Sequence, residues 1–112
     1  LTKKEKRAYS RYTVEALQLL SSLIKTTRVE KKITMQDLCE RAAISRDLLS
    51  RIEKADPACS IGVVFEVAAL LGIDLFQSDY SDLLIKNKLI KEKLTLLPQR
   101  VKNTVIEVDD NF

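Results

Sequence analysis

Thr34 and Ser45 stand eleven residues apart, and each opens a short stretch patterned like a helix. A hydroxyl at such a position accepts from a backbone N–H two or three residues on, which fixes where a helix begins. Asp37 follows Thr34 at the third helical position, the capping-box place, with Asp standing in for the usual Glu or Gln. Between the two caps there is room for one short helix, residues 35–42, and a tight turn at Ala43-Ile44. Leu38 and Ala42 face inward on that helix. The second helix presents Leu48, Leu49 and Ile52 to the core, and Asp56-Pro57 stops it, because the residue before proline is pushed out of helical geometry.

The rest of the chain reads as helix around this centre. From Val14, apolar residues recur at three- and four-residue steps (Leu17, Leu20, Ile24), with Ala16, Leu19 and Leu23 widening the stripe. This helix is expected to run to about Lys32, with cations in its last turn where the helix dipole favours them. Ser60 reads as the cap of a helix over 61–71, which buries Val64, Phe65, Val67, Ala68 and Leu71 and ends at Gly72 in the left-handed region. Leu75 and Phe76 are expected to fold back onto the core. A fifth helix spans about 79–97 and stops at Pro98. The β-branched density of TVIEV, residues 104–108, marks one candidate short strand. The expectation is an all-α chain: a basic arm over 1–13, a domain over 14–76, a fifth helix over 77–97 and a tail over 98–112.

Several functions are disfavoured by what the chain lacks. It has no histidine, so the usual general base and the usual zinc ligand are both missing. Cys39 and Cys59 belong to no C-x-x-C pair and read as small buried residues in a reducing cytoplasm. No nucleophile or phosphate-loop pattern surrounds the Ser, Asp or Glu residues, and Gly62 and Gly72 are the only glycines. The expectation is neither an enzyme nor a cofactor protein. With 46% hydrophobic and 31% charged residues and no apolar run near the roughly 20 needed to span a bilayer, the chain reads as soluble and cytoplasmic, with no membrane partner.

The net charge of +3 is unevenly spread. Residues 1–13 set Lys3, Lys4, Lys6, Arg7 and Arg11 against Glu5; residues 86–102 set Lys86, Lys88, Lys91, Lys93, Arg100 and Lys102 against Glu92. Basic flanks suit a polyanion, and they equally suit ordinary solvated helix faces. The third helix narrows the choice. Opposite its apolar side it carries Arg46, Asp47, Ser50 and Arg51, with Lys54 at its end. On an isolated helix these would be a solvated face. After a short helix and a tight turn, they become the second member of a helix-turn-helix, which can lie in the DNA major groove with its first residues on base edges. Arginine forks at 46 and 51 match guanine O6 and N7; Asp47 matches cytosine N4 or orients a neighbouring arginine.

The stretch over 20–57 resembles the phage-repressor and Cro type of helix-turn-helix, the Xre class of bacterial regulators. The shared elements are the leading L…IK..R, the T-x-x-D-L at 34–38, the A-x-I-S turn at 42–45 and RIEK at 51–54. DPACSIGVVFEVAALLGIDLF over 56–76, then a leucine- and lysine-rich helix and an acidic end, resembles the HipB-like antitoxins encoded beside HipA-like kinases. The resemblance implies a lambda-repressor-like fold and a dimeric repressor of palindromic double-stranded DNA. It implies as partner a HipA-like kinase toxin or its accessory protein. It places Ser45, Arg46, Asp47, Ser50 and Arg51 on the bases. Thr34, Gln36, Lys54 and Ser60 fall on phosphates, and Arg28 with Glu53 in a structural ion pair.

The sequence departs from the pattern in ways that matter. Met35 stands where the class usually has Gln, and Ala43 and Ala55 replace common turn glycines, so slightly different turn geometry is expected. Residues 34–56 set Arg41, Arg46, Arg51 and Lys54 against Asp37, Glu40, Asp47, Glu53 and Asp56, which leaves no positive surplus. The competing reading is therefore a protein-interaction module that keeps the fold and binds DNA weakly. On the fifth helix, Leu83, Ile90, Leu94 and Leu97 form one apolar stripe and Ile85, Leu89 and Leu96 another. Two stripes need two surfaces to bury, so a homodimer through this helix, with the strand at 104–108, is expected.

Overall fold

The structure, a computed structural model, describes residues 7–101. It contains α1 (Arg11–Glu30), α2 (Met35–Ala42), α3 (Arg46–Glu53) and α4 (Ile61–Leu70), a 3-10 turn at Leu75–Gln77, and α5 (Tyr80–Leu96). Among the described residues there is no strand, and the candidate strand over 104–108 lies outside them. The architecture is all-α, the five-helix arrangement of a lambda-repressor-like fold. The chain divides into two compact units, Leu1–Gln77 and Ser78–Phe112.

Local chemistry sets the helix ends. Thr34, Ser45 and Asp79 accept from the backbone N–H three residues on, at 3.0, 3.1 and 2.9 Å. Ser10 does the same for Thr13 at 3.3 Å, so α1 begins at Arg11, earlier than its apolar stripe suggests. Two expectations fail in detail. Ser60 occupies the cap position of α4 in extended backbone, yet its side chain makes no cap hydrogen bond. Asp37 does not complete a capping box; its carboxylate pairs with Arg41 one turn on, at 3.1 Å.

Three helices of the first unit end on a left-handed residue other than glycine: Lys32 (φ 57°), Ala43 (φ 55°) and Ala55 (φ 61°). The expected change of geometry at the two alanines does not occur; both adopt the conformation that glycine would take. Closing hydrogen bonds hold them there: Ile44 N–H to the Cys39 carbonyl and Asp56 N–H to the Arg51 carbonyl, each 3.0 Å. An L-residue in this region costs roughly 1 kcal/mol through its Cβ. Ala43→Gly and Ala55→Gly are therefore each expected to raise stability by about 1 kcal/mol in urea unfolding, against the usual penalty for introducing glycine. A loss of stability in both variants would contradict the strain. At Gly72 (φ 76°) the sequence already supplies the residue that this conformation favours.

The core of the first unit gathers Ile24 from α1, Leu38 and Cys39 from α2, Leu49 and Ile52 from α3, and Val67, Ala68 and Leu71 from α4 and its end. Met35 packs partly buried against this cluster, so it serves as core in the place where the class carries a polar glutamine. Leu75 also packs there, whereas Phe76 does not fold in: it is 70% exposed and meets Phe65 edge to face, with ring centroids 6.3 Å apart. In the second unit, α5 carries no buried residue.

Candidate nucleic-acid interface

The site begins with how firmly α3 is seated. Leu49 and Ile52 are 0% and 2% exposed, which fixes the rotation of a two-turn helix about its own axis. Two hydrogen bonds then fix its ends. The Cys39 thiol donates weakly to the Ser45 carbonyl at 3.6 Å, joining α2 to the start of α3. The Ser21 hydroxyl, buried on α1, donates to the Ile52 carbonyl at 2.6 Å and joins α1 to its end. Sequence reasoning passed over Ser21; the available signal was a serine within the apolar stripe between Leu17 and Ile24.

A third tie is ionic. Arg28 donates through Nε to Glu53 Oε2 at 2.7 Å and through Nη2 to Oε1 at 3.1 Å, a two-point pair across α1 and α3. Its Nη1 donates to the Ile33 carbonyl at 3.0 Å. With only 12% and 7% of the two side chains exposed, the hydrogen bond to Glu53 pushes the guanidinium above its already high ordinary range.

What this scaffold displays is the outer start of α3. Ser45, Arg46 and Asp47 are exposed, and Ser50 is half-buried. The Ser45 oxygen accepts from Leu48 N–H, which leaves its own O–H to donate outward. Arg51 is placed differently from Arg46. Its Nε donates to Asp56 Oδ2 at 2.7 Å, and this bond raises the guanidinium from its ordinary range. Asp56 Oδ1 accepts in turn from Ala58 N–H at 2.9 Å, so the arginine braces the loop that follows α3.

Among the residues that the resemblance assigns to phosphates, Thr34 uses its oxygen as the cap of α2, and Gln36 donates to Glu40 at 3.3 Å on the exposed face of that helix. Lys54 and Ser60 are exposed, near the two ends of the loop over 54–60. Cys59 on that loop is half-buried, and desolvation pushes its thiol up. Among the described residues no His, Cys, Asp or Glu cluster could hold a metal ion, and no helix is long and apolar enough to cross a membrane.

Two short helices in fixed register, the second with its polar start outward, define a helix-turn-helix domain. Residues 24–77 match the Helix-turn-helix family, a span that runs from within α1 through α4 to the 3-10 turn. This segment is similar to the Xre/Cro type of DNA-binding helix-turn-helix domain. No curated protein and no solved structure matches the chain.

Proposed function

We propose that the chain is a sequence-specific transcriptional repressor that binds palindromic double-stranded DNA as a homodimer. One observation carries the reading: α3 is clamped at both ends while its first turn, with Ser45, Arg46 and Asp47, stays exposed. A major groove about 12 Å wide admits one helix, so an exposed N-terminal turn on a rigid seat is what base reading requires. Arg46 is the primary reader of guanine. Arg51, braced by Asp56, presents its fork in a fixed direction with Ser50 beside it. Thr34, Gln36, Lys54 and Ser60 contact phosphates on either side.

The dimer draws support from α5. Ile85, Leu89, Ile90, Leu94 and Leu96 are 59–85% exposed, and among the described residues only Leu83 of the two stripes is half-buried. Within this reading the protein is cytoplasmic and serves as the antitoxin of a HipBA-like pair, repressing its own operon and neutralising a HipA-like kinase toxin. The supporting feature is the stretch over 56–76 and the basic fifth helix that follows it. The rival reading, a protein-interaction module, is favoured by the internal ion pairs of Arg28, Arg41 and Arg51, which leave few unpaired cations within the helix-turn-helix itself.

Selection of duplexes from a random library, followed by titration, separates the two. Affinity for the enriched duplex is expected to fall on the order of 10³-fold between 50 and 200 mM salt for a dimer neutralising about six phosphates. Arg46→Ala is expected to cost about 1–3 kcal/mol, confined to particular base pairs. No enrichment, no salt dependence, and a monomer by sedimentation equilibrium at micromolar concentration would together leave the interaction module.

A further inference from the structure

The first unit has too few unpaired cations in its helix-turn-helix to account for firm phosphate binding. Arg28, Arg41 and Arg51 are tied to Glu53, Asp37 and Asp56, and Lys31 donates to the Leu71 carbonyl at 2.5 Å. Among the described residues of the first unit, Arg7, Arg11, Lys25, Lys32, Arg46 and Lys54 form no ion pair. Arg46 belongs to the reading turn. Arg7 and Lys54 meet at a second place. Residues 7–9 lie against the loop that follows α3, and together they enclose a notch of about 530 Å³ lined by Arg7, Tyr9, Lys54, Ala55, Asp56, Pro57 and Ala58.

We propose that this notch is a phosphodiester subsite, in which Arg7 and Lys54 share one DNA phosphate flanking the groove that α3 enters. The inference rests on the DNA-binding reading above and adds residues outside the helix-turn-helix to it. Four features fit the ligand. Two cations from separate segments face one cavity, which suits an anion of charge minus one with two free oxygens. Arg7 is not a loose arm residue: its guanidinium carbon lies 5.8 Å from the centroid of the Tyr9 ring, a contact that orients a planar fork before any ligand arrives.

Tyr9 adds a phenolic O–H, a donor that phosphates commonly accept from. Asp56, the one carboxylate among the described residues of the lining, has its charge engaged by Arg51 and by Ala58 N–H, so it does not face an incoming phosphate as a bare anion. The left-handed turn at Ala55 sets this arrangement, because it brings Asp56 back over the last turn of α3 and leaves Lys54 at the rim. Lys54 ends the recognition helix, so a phosphate held here is contiguous with the bases read from that helix.

The test is an anisotropy titration of the full chain with a labelled duplex of mixed sequence, about 30 base pairs long, across a salt series. For Arg7→Ala/Lys54→Ala, the slope of log affinity against log salt is expected to shrink by about 0.9 per bound chain, one phosphate rather than two. Between 50 and 200 mM salt the wild type then loses about 3.5-fold more affinity per bound chain than the double variant does. Both side chains are exposed, so unchanged far-UV circular dichroism should accompany the shift. A wild type that binds with salt dependence and a double variant with the same slope would overturn the notch alone. A slope change near 1.8 would assign the two cations to separate phosphates and overturn the shared subsite. A wild type that binds no duplex at any salt would overturn both the notch and the repressor.

Discussion

Arg28→Ala is expected to lower the unfolding free energy of the first unit by about 3 kcal/mol or more, seen as a reduced urea midpoint at constant slope. The reason is the cost of a stranded charge. With arginine removed, the Glu53 carboxylate, 7% exposed, loses both of its donors, and the Ile33 carbonyl loses Nη1 as well. Glu53→Ala should cost less, because the remaining guanidinium still has the Ile33 carbonyl and reaches water through its 12% exposed surface. The pair need not stabilise the fold for this to hold. Replacing both members with apolar residues of similar size, Arg28→Met with Glu53→Leu, should come close to wild type, since buried ion pairs roughly break even against well-packed hydrocarbon. Singles that each cost under about 1 kcal/mol would show that water already screens the pair and that its geometry has no energetic weight.

That pair also illustrates what the sequence made legible. Its partners are 25 residues apart and no helical periodicity connects them; only the resemblance to a known class of domain pointed to them. By contrast, the caps at Thr34, Ser45 and Gly72 were readable from local chemistry, because a cap needs only its own backbone and the next three residues. Local chemistry also misled. Ser60 has the right residue in the right backbone and makes no cap bond, and Phe76 looked like core and lies outside it. Arg51 is the informative case. Its partner Asp56 is five residues on, beyond reach along a continuing helix, and the contact exists because Ala55 turns left-handed. An alanine by itself gives no sign of that turn, which only the resemblance marked at position 55, so a side chain taken from sequence for a free base reader is in the structure also a brace.

The second large effect is expected at Leu49, where Leu49→Ala should cost about 2–5 kcal/mol. Leu49 has no exposed surface and sits in one cluster with Ile24, Leu38, Ile52, Val67 and Leu71. Truncation removes transfer energy and leaves a cavity that helices tied by Ser21, Cys39 and Arg28 cannot easily close. For a unit of this size each kcal/mol corresponds to roughly 4–8 °C in Tm, so a fall of about 8 °C or more is expected by calorimetry. Leu49→Met, which keeps the volume, should cost under about 1.5 kcal/mol. Arg46→Ala should leave Tm unchanged while weakening duplex binding; Leu49→Ala should do the opposite at low temperature, where the folded fraction still presents the reading turn. Saturating duplex should then restore part of the lost Tm, since a ligand that binds only the folded chain stabilises it by mass action. If Leu49→Ala abolished duplex binding while the chain remained folded, the seat of α3 would be plastic rather than rigid, and base reading would depend on the helix's orientation more than on the side chains it displays.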